Sequence, residues 1–292
     1  MGTRGWSTEE FKSYSKSKGR GVTLDGEVFG ISSSQDVFKS YGLNAALDPK
    51  NVIRECRDSE EHPNTIPVIL ALDVTGSMGD AAVEVAKKLN VIMTRLFENI
   101  KDVEFMIMGI GDLAYDSAPI QASQFESDIR IAEQLDKLYF EYGGGGNSFE
   151  SYSAAWYFGL HHTDLDCWKR GKRGIIITMG DEMLNPYLPI RAYHGGLKEV
   201  TGDKLQGDVE TNELYKETSQ KFDIYHLGVV HDSWSKDRAT NAKLSFEKVL
   251  QPGHYKEVSL DTIVDTIVDI IVSAGNNTQT GTGAETTGEI SW

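Results

Sequence analysis

A doubly wound α/β fold, with a mostly parallel central sheet and helices on both faces, is what this chain predicts, and three observations predict it. From Pro67 onward short apolar runs alternate with longer stretches whose apolar residues recur at helical spacing. The runs at 68–72, 103–109, 172–179 and 222–230 are nearly continuous in apolar residues, as strands buried on both faces are. Two of them end in acids, Asp73 and Asp181, at the strand ends where open α/β sheets place their ligands.

Each element follows from the local pattern. The strand at 68–72 leads into a turn and then a helix at 81–97, whose stripe is Val83, Val85, Ala86, Leu89, Ile92, Met93 and Leu96. The strand at 103–109 runs into a loop with two acids, Asp112 and Asp116, and residues 120–125 suit an edge strand. A helix is expected at 127–139, then a glycine-rich turn at 143–148, then a helix from Phe149 to His161. The strand at 172–179 ends in Gly180-Asp181-Glu182, and Pro186 and Pro189 break the chain after it. Residues 210–221 read as a helix, 222–230 as a strand, 244–250 as the end of a helix and 255–258 as a short edge strand. A strongly amphipathic helix fills 260–273. Strands separated by helices of this length imply crossovers and a mostly parallel sheet.

The expected organisation is an N-terminal extension (1–65) packed on a main domain (66–273), with a flexible, polar C-terminal tail (274–292). Lys12, Lys16, Lys18 and Arg20 read as the solvated face of an arm, and Ile290-Ser-Trp292 reads first as an end of the tail with no role and second as a segment that docks on a partner. The tryptophans, among them Trp156 and Trp234, read as packing residues.

Composition narrows the function classes. The 292 residues carry a net charge of −15, which disfavours nucleic acid as a partner. Two cysteines, Cys56 and Cys167, make no disulfide framework and suit a reducing compartment. Residues 1–6 hold no apolar core of a signal peptide, and no apolar run is long enough to span a membrane. A cytoplasmic location is therefore expected.

The chemistry concentrates in Asp73-Val-Thr75-Gly-Ser77, directly after a buried strand. A carboxylate and two hydroxyls in one tight turn are hard oxygen donors suited to Mg²⁺ or a similar ion. Together with the strand-end Asp181 and the turn Gly143-Gly-Gly-Gly-Asn147-Ser148, this pattern resembles the von Willebrand factor type A (vWA) domain with a metal-ion-dependent adhesion site, in its intracellular bacterial or phage form. The resemblance covers about residues 66–273 and implies a Rossmann-like vWA fold. It implies that Asp73, Thr75, Ser77 and Asp181 hold Mg²⁺, or Mn²⁺ or Ca²⁺. Asn147 or Ser148 stands where the family has a threonine, and both remain open as ligands. A partner protein would complete the site with a Glu or Asp carboxylate, within an assembly or beside a ring-shaped AAA-type ATPase. The function so implied is metal-dependent protein binding, without catalysis.

Other classes fare less well. A phosphotransferase of the haloacid-dehalogenase type needs an acid where Thr75 stands, and Ser77 lacks the Gly-x-Ser-x-Gly spacing of a hydrolase. No phosphate-binding Gly-x-x-x-x-Gly-Lys-Ser/Thr motif occurs. A metal-dependent hydrolase would need a base such as Asp112, Asp116 or Glu182 beside the ion. The stretch from His161 to Cys167 has zinc-ligand residue types, but exposed polar residues at a helix end account for it more simply. The reading from a different class is a structural or scaffold protein that uses the same fold without metal-dependent binding.

Overall fold

The structure is a computed structural model describing residues 5–142, 147–230 and 235–279. The expectations for Trp234 and for Ile290–Trp292 lie outside these residues. The main sheet has six strands: β1 (Ile66–Asp73), β2 (Val103–Ile110), β3 (Ile120–Ala122), β4 (Gly174–Gly180), β5 (Phe222–Val229) and β6 (Tyr255–Val258). Their spatial order is β6-β5-β4-β1-β2-β3, and all pair in parallel except the edge strand β3. The fold is the doubly wound, Rossmann-like vWA architecture that the sequence predicts.

The helices that frame the sheet are α1 (Thr8–Ser17), α2 (Gly79–Asn99), α3 (Arg130–Leu135), α4 (Ser153–His161), α5 (Thr211–Thr218), α6 (Lys236–Glu247) and α7 (Ile263–Gln279). Successive strand residues point to opposite faces. Val68, Leu70 and Leu72 of β1 therefore enter a core shared with α2 and α7, while Ile69 and Ala71 enter a second core shared with α4, α5 and α6. Every residue of β1 is buried, which explains its unbroken apolar run. Leu72 pairs with Gly109 on one side and Met179 on the other, so the carboxyl ends of β1, β2 and β4 lie level with one another.

Three local expectations change. Phe149–Glu150 does not start a helix but pairs in parallel with Met183–Leu184, just beyond β4. The backbone partners that draw it into strand lie more than thirty residues away along the chain, out of reach of local periodicity. The helix expected at 127–139 shrinks to α3, because the backbone of Glu126 pairs with that of Phe105 at 2.8 and 2.9 Å. The last helix continues to Gln279, with Ala274 buried, and so passes the expected start of the tail.

The N-terminal segment packs its apolar residues on the main domain, while Lys16 and Lys18 remain exposed. Phe11, Val28, Ile31, Val37, Phe38 and Leu47 are buried in the core that holds α2. Arg20 Nη1 lies 2.9 Å from Asp136 Oδ1, and the Tyr14 hydroxyl donates to Asp136 Oδ2 at 2.8 Å. Burial, with Asp136 beside it, raises the Tyr14 pKa well above its ordinary value. Removing one partner of a largely buried ion pair leaves the other uncompensated. The Arg20→Ala variant is therefore expected to loosen α1 by about 2–3 kcal/mol. Hydrogen exchange should then accelerate in residues 8–17 ahead of the sheet; unchanged protection there would rule the pair out as the clamp.

Candidate functional site

The site is built where β1, β2 and β4 end. Asp73, the last residue of β1, is fully buried. Its Oδ1 accepts the Thr75 N–H at 2.9 Å and the Thr75 hydroxyl at 2.6 Å. Its Oδ2 accepts the hydroxyl of Tyr152 at 2.8 Å. That same phenolic oxygen accepts the backbone N–H of Asp181 at 3.2 Å and of Glu182 at 3.1 Å. One hydroxyl thus ties the end of β1 to the turn after β4. Its seat depends on Gly180, where an added Cβ would lie 2.1 Å from the Tyr152 oxygen.

The loop after β2 is closed in the same manner. Asp116 Oδ2 accepts the Asp112 N–H at 2.7 Å, and Asp112 Oδ1 accepts the Ala114 N–H at 2.8 Å. Asn147 reaches across, its Nδ2 donating to Asp112 Oδ2 at 2.9 Å while its Oδ1 accepts the Phe149 N–H at 2.8 Å. Ser77 and Ser148 are exposed on the rim. The glycines at 143–146 lie outside the described residues.

Negative charge is crowded here and poorly hydrated. Burial, then the nearby Asp181, pushes the Asp73 carboxyl up to about 7. Burial raises Asp116 to about 6 and also raises Asp112. Glu150 is pushed well above the carboxylate range by burial and then by Asp73, Asp116 and Asp112. Its Oε2 is buried with no hydrogen-bond partner among the described residues. Low dielectric and like charges both disfavour ionisation, so these acids hold protons that exposed acids would release.

This geometry corrects the expected metal site. Among the described residues no group of three or more His, Cys, Asp or Glu side chains is placed to hold a metal ion. Asp73 accepts from Thr75 and Tyr152, and the Asn147 carbonyl oxygen accepts from its own loop. Among the described residues no cluster of His, Cys, Asp or Glu fits Mg²⁺, Mn²⁺ or Ca²⁺, which overturns the metal-dependent adhesion function expected from the turn. Sequence reasoning brought Asp73, Thr75 and Asp181 to one end of the sheet, as found, but missed Tyr152. The available signal was a tyrosine opening an otherwise apolar helix, since a buried phenol requires a hydrogen-bond partner.

The segment at 161–167 forms no metal-ligand cluster, and it is an exposed helix end only at His161, the last residue of α4. His162 is buried, its Nε2 2.8 Å from Asp203 Oδ2 and its Nδ1 2.9 Å from the Val52 carbonyl oxygen. Asp164 and Asp166 pair with Arg57, and Cys167 is buried. These groups fasten the segment before β1 to the edge of the α4 layer.

No family model and no curated protein matches the sequence. Solved structures of low identity are similar to part of the chain. The pilus adhesin SpaC of Lactobacillus rhamnosus GG aligns over 78% of this chain and 31% of its own, with 12% identity and a TM-score of 0.48. This chain thus spans about a third of that protein's length. The vWF domain of the type V pili tip protein Mfa5 of Porphyromonas gingivalis aligns over 78% and 98%, with 12% identity and a TM-score of 0.47. The conserved hypothetical protein BatB of Bacteroides thetaiotaomicron aligns over 73% and 98%, with 14% identity and a TM-score of 0.37. The intracellular type and the cytoplasmic location expected from the sequence are withdrawn: the structures found similar include pilus proteins, and none of them supports either expectation. At these identities the likeness is one of fold, and no compartment takes the place of the one withdrawn. Among the described residues no helix is long and apolar enough to cross a membrane.

Proposed function

We propose that this chain is a non-enzymatic scaffold and protein-interaction domain that works without a bound metal. The observation that carries this reading is the Tyr152 hydroxyl, which joins Asp73 to the Asp181–Glu182 turn through three hydrogen bonds. In this reading Asp73, Thr75 and Asp181 form an internal brace at the strand ends. Ser77, Asn147 and Ser148 belong to the exposed rim around it. The brace stiffens the end of the sheet from which the connecting loops project, and loops on a rigid support are suited to binding. The inferred partners are proteins, met through surfaces around this rim.

Metal dependence is the direct test. A ligand at a hundred times its dissociation constant stabilises the state it binds by about 2.7 kcal/mol. The thermal midpoint of the full chain is therefore expected to agree within about 1 °C in millimolar Mg²⁺ and in EDTA. Proteins retained on the immobilised chain are expected to be the same in both buffers. A midpoint several degrees higher in Mg²⁺, or retention abolished by EDTA, would overturn the reading.

A further inference from the structure

A groove lies beside the brace, on the face of the sheet covered by α4, α5 and α6. Met183, Leu184, Pro186 and Leu244 contribute its apolar wall, and its volume is about 380 Å³. Leu244 is 46% exposed, on a helix that buries Ala242 and Phe246 against the core. The polar groups deep in the wall are bonded within the chain: the Leu184 N–H donates to Ser245 Oγ at 2.9 Å, and the Thr211 hydroxyl donates to the Asn185 carbonyl at 2.7 Å. At the rim the side chains of Asn212, Asn241 and Lys248 are exposed.

The charge of this groove differs from that of the rest of the molecule. The chain carries a net charge of −15, yet among the described residues lining the groove Lys248 is the only ionisable one. An acidic protein has here an apolar cleft with a cation at its edge and no carboxylate in its walls. The volume accommodates one or two large side chains and falls in the lower part of the range for binding clefts. Carboxamides on two elements, α5 and α6, offer both donors and acceptors to a peptide main chain.

We propose that this groove binds an extended peptide segment of a partner protein, one that presents a bulky apolar side chain flanked by an acidic residue. The apolar side chain fills the cleft between Met183 and Leu244. The acidic neighbour meets Lys248, and Asn212 and Asn241 hold the intervening backbone. This rests on the reading of the chain as an interaction domain and names the surface and the partner chemistry for it.

The test uses a displayed library of random dodecapeptides selected against the full chain. Enriched sequences are expected to share an aromatic or large aliphatic residue next to Asp or Glu. Their affinity should fall at least about tenfold for Leu244→Asp. Lys248→Glu should shift selection toward basic flanking residues. Both positions are exposed, and unchanged thermal midpoints would show that the variants fold. Selected peptides indifferent to both substitutions, peptides with basic flanks on the wild-type chain, or no enrichment would each overturn the groove. So would a concentration-dependent dimer in sedimentation that Leu244→Asp dissolves, since a second copy would then be the occupant. Peptides that lose binding on Leu244→Asp but also require Mg²⁺ would keep the groove and sink the metal-free reading, so the two failures are distinguishable.

Discussion

The Tyr152→Phe variant is expected to lose about 3 kcal/mol of stability through the removal of a single oxygen atom. The ring keeps its volume, so no cavity forms among His226, Phe246 and the strand ends that pack around it. What disappears is a donor to the buried Asp73 carboxylate and an acceptor for two N–H groups, those of Asp181 and Glu182. An unsatisfied buried polar group costs about 1–3 kcal/mol, and more when it is charged. For a chain of this size the thermal midpoint should fall by roughly 6–12 °C. A fall below about 2 °C would mean that the phenol is not the brace described here.

The second large effect is a pH dependence of unusual sign. Folded Asp73 titrates near about 7 instead of 3.8, so the folded chain holds a proton that the unfolded chain has already released. Where the folded state binds more protons, stability falls as pH rises. The contribution from Asp73 is fully present below about pH 4 and is lost as pH climbs through about 7. Asp116, raised to about 6, acts in the same direction. His226 acts against it: buried beside Thr178, its ring is held well below the ordinary histidine value, so its contribution is present above about pH 6.5 and lost in acid. Comparison with Asp73→Asn cancels the histidine. Asparagine keeps the acceptor for Thr75 and carries no charge at any pH. The variant is expected to gain on wild type by about 2–3 kcal/mol between pH 5 and pH 8, read as a variant-minus-wild-type midpoint difference that rises with pH. A signed difference that stays constant, or falls, would show that Asp73 is ionised throughout.

The strand-end acids show why a site can be half legible. Asp73 and Asp181 each follow a buried strand, and parallel strands in one sheet end on one side, so their convergence follows from the βα alternation alone. Their chemistry does not follow. A carboxylate in a turn with two hydroxyls has the same local sequence whether it holds an ion or a phenol. Tyr152 stands 79 positions beyond Asp73, and nothing in the spacing of either segment shows that they touch. His162 is a similar case: beside Asp164 and Asp166 it has the look of a polar helix end, and only the arrival of Asp203 and the Val52 carbonyl makes it a buried fastening.

By itself the sequence determined the alternation of the main strands and helices from Pro67 onward, the double-sided burial of β1 and the end of the sheet where acids collect. These depend on hydrophobic period and on strand and helix length, which are properties of neighbouring residues. Tertiary structure decided which side chains satisfy those acids, that Phe149–Glu150 pairs as strand, and that an apolar groove opens beside α6 in an acidic protein. Each of these depends on groups brought together from distant parts of the chain. At the strand ends the deciding contact is one buried phenol: it supplies the hydrogen bond that Asp73 needs once water is excluded, and it leaves the turn bonded to its own protein.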